Sequence, residues 1–269
     1  MAYIRKTINV GEKLLQNRFY IEHVKSEKRC LNCESLLDEK FKFCPECGQD
    51  TEDTASSIGG FIKHFLNDYF TFDSKIIRSF TPLLFKPGFL TEEFFEGRRV
   101  RYIPPLRMYI FVSVVFFLVL SLLGGSHEAM PDEDRFWNDF FGSFLPKVFF
   151  VLLPMFALIL FGLYARRKIS YVKHFVFSLH FHAFLFILIL VYLLISEVFE
   201  KLELIIVNQI LSPLIGLSFL GYLFIAMKRT YDQNWGKTLL KFFLLCLAYG
   251  GILFIVISFS LLIFQSQGN

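Results

Sequence analysis

Four cysteines at two tight spacings carry the clearest chemistry in this sequence. Cys30-Leu31-Asn32-Cys33 and Cys44-Pro45-Glu46-Cys47-Gly48 form two CxxC pairs ten residues apart. Thiolates at that spacing can surround zinc tetrahedrally. The gap is shorter than the commonest two-pair spacing, which predicts a minimal ribbon: two knuckles joined by a tight hairpin over Phe41 and Phe43. Gly48 can take the backbone conformation that brings amides close to metal-bound sulfurs. Four cysteines leave no open position for water, so a structural zinc on Cys30, Cys33, Cys44 and Cys47 is the leading assignment in a reducing compartment. Paired disulfides, a redox CxxC and an iron cluster compete for the same residues. Cys246 lies in an apolar segment, where a small buried hydrophobe is expected.

A second group is His174, His180 and His182. Ionisable residues inside membrane helices are costly and are functional hypotheses by default. At 100° per residue His180 and His182 lie about 200° apart, so one helix cannot aim both into a single site. Hydrogen bonds to neighbouring helices are the leading expectation, with a metal or haem site and a proton relay as alternatives. Asn208 and Gln209, followed by Ser212 and Pro213, complete a candidate intramembrane site, and Pro154 interrupts another apolar run. No Asp or Glu falls at mid-depth in any apolar segment, and no Walker loop, GxSxG elbow or HExxH is present. No catalytic residue is assigned, and the reading leans away from an enzyme.

The elements that must position these groups are membrane helices. The chain is 54% hydrophobic and 18% aromatic, with 36 Phe in 269 residues, more apolar material than one soluble core would bury. Five stretches approach the roughly 20 residues that cross a hydrocarbon core of about 30 Å. They run from Leu106 to Leu123, Pro146 to Ala165, Phe175 to Ser196, Ile205 to Met227 and Thr238 to Phe264. The expected fold class is an all-α membrane protein of about five transmembrane helices, preceded by amphipathic helices and a small zinc ribbon.

Charge sets the orientation. Arg98, Arg99, Arg101, Arg107, Arg166, Arg167, Lys168, Lys173, Lys228, Arg229, Lys237 and Lys241 fall on one side, against Arg135, Lys147 and Lys201 on the other. That alternation predicts a cytoplasmic N-terminus and a periplasmic or extracellular C-terminus. No apolar leader precedes the ribbon. The expected domains are a flexible arm at 1–29, the ribbon at 30–50, a linker with amphipathic interfacial helices at 51–105, and the transmembrane domain at 106–269. Apolar residues from Ile58 to Phe85 recur at three- and four-residue spacings, too polar to span and suited either to the membrane surface or to packing against the helix bundle. Arg98, Arg99, Arg101 and Arg107 are candidate contacts for lipid headgroups or anchors of the first span.

The CxNC and CPxCGQ pairs, the Leu-Phe-Lys-Pro-Gly stretch ending at Gly88, the GRRVRYIP run from Gly97 to Pro104 and the HxxFxLHxH pattern from His174 to His182 resemble a bacterial family of multipass membrane proteins known as a domain of unknown function. The resemblance implies a zinc-ribbon membrane protein and supplies no activity. A non-enzymatic scaffold or sensor, with the ribbon as a cytoplasmic docking module, is the leading functional expectation. A transporter or channel for a small or amphiphilic solute is the alternative, and an intramembrane metal or haem protein a weaker one. Membrane lipid and a cytoplasmic or membrane protein are the expected partners, and nucleic acid is not.

Overall fold

The structure is a computed structural model and describes residues 28–38, 40–51, 58–59, 75–123 and 145–267. The expected N-terminal arm before residue 28, most of the linker and of the amphipathic stretch, and the acidic connection carrying Asp132, Glu133, Asp134 and Asp139 lie outside the described residues. An antiparallel hairpin, β1 (Lys28–Arg29) and β2 (Leu36–Leu37), precedes the helices α1 (Lys75–Phe85), α2 (Phe89–Phe95), α3 (Pro105–Leu123), α4 (Leu145–Leu163), α5 (Tyr171–Lys201), α6 (Ile205–Tyr231) and α7 (Trp235–Gln267).

The chain is a helical membrane protein, and each expected span is a helix. Four of them, α3, α5, α6 and α7, are long and apolar enough to cross a bilayer; α4 is apolar too, over Lys147–Leu163. Three helices outrun their apolar windows by about a turn: α5 begins at Tyr171, α6 runs on to Tyr231 and α7 begins at Trp235. A membrane helix can carry polar residues in the turn that reaches the headgroup layer, so hydropathy locates its middle better than its ends.

α5 is the central helix. It packs on α3, α4 and α6 and meets α1 and α2 at one end, while α7 packs on α4 and α6. Its first half is buried on every face, from Val176 through Phe184, as expected for a helix apolar all round. Phe186 is fully buried and stacks on Phe116 at 4.8 Å between ring centroids, with Phe149 edge-on at 5.0 Å. Between lipid-embedded helices such contacts matter more than apolar transfer, because lipid is as apolar as the core.

α1 and α2 cap the end of this bundle that bears the ribbon. α1 buries Ser79, Pro82 and Leu83 and leaves Ile77 and Phe85 exposed. Tyr222 of α6 donates its hydroxyl to Leu83 O at 2.6 Å, and Ile103 N donates to Ser79 Oγ at 2.9 Å. Between α1 and α2 the chain turns at Gly88, with φ +76 and the backbone pressed against α6: an added Cβ would lie 2.8 Å from Ala226 O. Gly88→Ala therefore combines a left-handed penalty with a backbone clash, together about 3 kcal/mol. Thermal unfolding in detergent should show a Tm roughly 5 to 15 °C lower; an unchanged Tm would mean the cap is not seated on α6.

A candidate metal centre clamped to the neck of the first span

The two knuckles close with the same pair of backbone hydrogen bonds. In the first, Cys30 N donates to Ser35 O and Glu34 N to Cys30 O, both at 2.9 Å; in the second, Cys44 N donates to Gln49 O and Gly48 N to Cys44 O, both at 2.8 Å. The equivalent residues Glu34 and Gly48 are left-handed, with φ of 62° and 73°. Glycine takes that conformation freely, whereas it costs Glu34 about 1 kcal/mol.

The four sulfurs all lie within 4.8 Å of one another, with Cys30 to Cys47 at 3.5 Å and Cys33 to Cys44 at 3.6 Å. Four sulfurs bound at about 2.3 Å to one tetrahedral ion would stand about 3.8 Å apart. The set therefore fits a single metal ion, and all four cysteines are free thiols. Ser35, 3.1 Å from Cys33 Sγ and 3.2 Å from Cys44 Sγ, holds both thiols below their ordinary range, Cys44 at about 6. Burial pushes Cys30 and Cys47 up, Cys47 to about 12. A coordinating thiol is deprotonated outright by a bound divalent ion, so such an ion overrides this division.

The hairpin does not close over Phe41 and Phe43 as the spacing suggested. Both rings are about half exposed. The connection is tied by backbone instead: Thr51 Oγ1 donates to Phe41 O at 2.8 Å, and Phe43 bridges to Asp50. A module this small cannot build a core, and an ion held by the four cysteines would take the core's place.

What the cysteine spacing did not reveal is the ribbon's attachment. Gln49, directly after the second knuckle, is buried and donates Nε2 to Gly97 O at 2.7 Å, while its Oε1 accepts from Arg99 N at 3.2 Å. Asn32, between the first two cysteines, accepts from Arg101 N at 3.2 Å. Leu31 packs on Gly97, whose φ is +87 and where an added Cβ would lie 2.7 Å from Leu31 Cδ1. Each knuckle thus hydrogen-bonds the backbone of Gly97–Arg101, the neck that leads into α3 at Pro105. The CxNC pair, the CGQ end and the GRR run were visible as separate motifs; they are parts of one contact.

The histidines hold the bundle together at three separate points. His174 Nδ1 lies 2.8 Å from Tyr231 OH, His180 Nδ1 2.9 Å from Thr91 Oγ1 of α2, and His182 Nε2 2.9 Å from Tyr249 OH of α7. His180 and His182 face different helices, as the helical angle required. Asn208 and Gln209 stand near the start of α6, level with the end of α5, whereas His182 is about 28 Å along α5 from Lys201 at 1.5 Å per residue. The residues of the candidate intramembrane site do not converge. Thr91→Val would leave a buried imidazole nitrogen without its partner, a loss of about 1–3 kcal/mol; thermal unfolding of the detergent-solubilised variant reads it, and an unchanged Tm would show that the contact carries no stability.

Comparison with known proteins singles out the neck and its surroundings. Residues 73–117 match the model of a family described as a protein of unknown function (DUF3667). The match covers α1, α2, the neck and the first part of α3, and stops short of both the cysteines and the histidines. No curated protein and no solved structure matches the chain.

Within that matched segment Arg98 and Arg99 are engaged by side chains of α2 and its end. Arg98 binds Glu93 through Nε at 2.8 Å and Nη2 at 2.5 Å and also pairs with Glu96. The Arg99 guanidinium lies 4.9 Å from the Phe94 ring centre. Arg101 is exposed, and Arg107 is half-buried in the first turn of α3. The Arg98 hydrogen bond holds the Glu93 carboxyl below the usual carboxylate range. Its contribution to stability is therefore complete above the unfolded value of about 4.3 and is lost as pH falls through the lower folded value. Thermal stability of the wild type should fall below about pH 4 by a step that Glu93→Gln removes; an identical acid profile in the variant would exclude the pair as its source.

Proposed function

We propose that the chain is a bacterial inner-membrane scaffold or sensor in which a zinc-loaded ribbon, on the cytoplasmic side, controls the neck of the first span. The observation that carries this reading is the pair of hydrogen-bonded clamps from Asn32 and Gln49 to Gly97–Arg101. Both clamping residues belong to the knuckles, so whatever orders the cysteines also orders the neck. An all-thiolate tetrahedral set favours zinc over harder cations, and the excess of Arg and Lys at the ribbon end favours a cytoplasmic ribbon. Leu36, Phe41 and Phe43, exposed on the ribbon, offer an apolar surface to a cytoplasmic or membrane protein partner.

The test uses full-length protein in nanodiscs, digested with trypsin after zinc loading or after chelation. Cleavage at Arg98, Arg99 and Arg101 should be slow with zinc and at least tenfold faster without it. Equal rates would sink the sensing role. The transporter reading has no comparable support, since its candidate residues sit at opposite ends of the bundle and each histidine is engaged in helix contacts.

A further inference from the structure

The ribbon end of the bundle carries two kinds of cation. Arg98 is paired with Glu93, Arg229 with Glu92 and Lys228 with Asp232. Arg166, Arg167 and Lys168 of the α4–α5 turn, and Lys237 and Lys241 of α7, pair with no carboxylate among the described residues. Aromatic packing draws two of the second kind, Arg167 and Lys241, together. Tyr164 and Tyr231 stack at 3.8 Å between centroids; Lys241 Nζ lies 3.7 Å from the Tyr164 ring centre, and Arg167 Nη2 donates to Tyr231 O at 2.7 Å. Lys241 is within electrostatic reach of both Arg167 and Lys237. The nearest acid along the chain, Asp232, is 92% exposed and turned to Lys228.

Depth sharpens the problem. Trp235 is 62% exposed at the first residue of α7, where an indole marks the headgroup layer. Lys241 follows six residues later, about 9 Å deeper along the helix. A ring face attracts a cation without neutralising it, and uncompensated cations converging at that level call for an anion. We propose that the Ala165–Arg167 turn and the first turns of α7 bind the phosphate of an anionic lipid headgroup.

The test is native mass spectrometry of the full chain in detergent, titrated with cardiolipin or phosphatidylcholine, for the wild type, Arg167→Gln/Lys241→Gln, and the charge-preserving Arg167→Lys/Lys241→Arg. The wild type should prefer cardiolipin. The neutral pair should lose about thirtyfold of that preference, from roughly a fivefold contribution per basic residue near the surface. The charge-preserving pair should keep it. A wild type without preference, a neutral pair that retains it, or equal loss in both variants overturns the proposal. Displacement of cardiolipin by millimolar inorganic phosphate also overturns it, in favour of a soluble phosphate ligand.

Discussion

Replacing Cys30 and Cys33 together by serine is expected to remove the metal, unfold the ribbon and free the neck in a single step, while leaving the membrane bundle folded. The asymmetry follows from where each part draws its stability. The ribbon has two strands of two residues each, and its Leu36, Phe41 and Phe43 remain exposed, so apart from its contacts with the neck a metal on the four cysteines would be its main support. Structural zinc sites contribute on the order of 10–16 kcal/mol of folding free energy at neutral pH, far beyond what a few hydrogen bonds supply. The bundle has its own core around Phe186, Phe116 and Phe149, which the substitution does not touch. Elemental analysis should find one zinc per chain in the wild type and in His180→Ala/His182→Ala, and none in the cysteine variant. Hydrogen exchange at Gly97–Arg101 should approach that of an open loop in the cysteine variant alone. Metal retained without the cysteines, or lost with the histidines, would move the metal site into the membrane.

The parts of this architecture that repeat a period were legible beforehand. Apolar runs located all five bundle helices, and the 100° step separated His180 from His182 correctly. Their ends were less visible, because the turns that reverse the chain carry little local signal: the α5–α6 connection turns on Glu203 with φ 57 and the α6–α7 connection on Asp232 with φ 38, where glycine would have marked the break. The knuckles show the same effect. Gly48 announced its left-handed backbone, while Glu34, which does the same work in the first knuckle, did not. The clamp was beyond reach for another reason. Asn32 and Gln49 are ordinary amides about 70 and 50 residues from the backbone they bind, and a contact of that separation has no periodicity. Its one trace was the company these residues kept, in two cysteine motifs and an arginine run that looked unrelated.

Gln49→Leu is expected to separate metal binding from control of the neck. The side chain is buried and serves Gly97 O and Arg99 N at once. Leucine has similar bulk and neither group, so Gly97 O loses its donor in a site closed to water, a loss of about 1–3 kcal/mol. The knuckle itself should survive, because its closing bond runs from Cys44 N to the main-chain oxygen of residue 49 and not to its side chain. The variant should therefore bind one zinc per chain while the neck amides exchange roughly ten- to a hundredfold faster than in the wild type. Gly97→Ala would be less informative, since its positive φ and its contact with Leu31 strain the neck directly. With Gln49→Leu the two alternatives read differently. Metal lost together with protection would make Gln49 part of the metal site's own fold. Protection unchanged with the metal in place would leave Asn32 and Leu31 as sufficient to hold the neck, and the route from metal to membrane would run through the first knuckle alone.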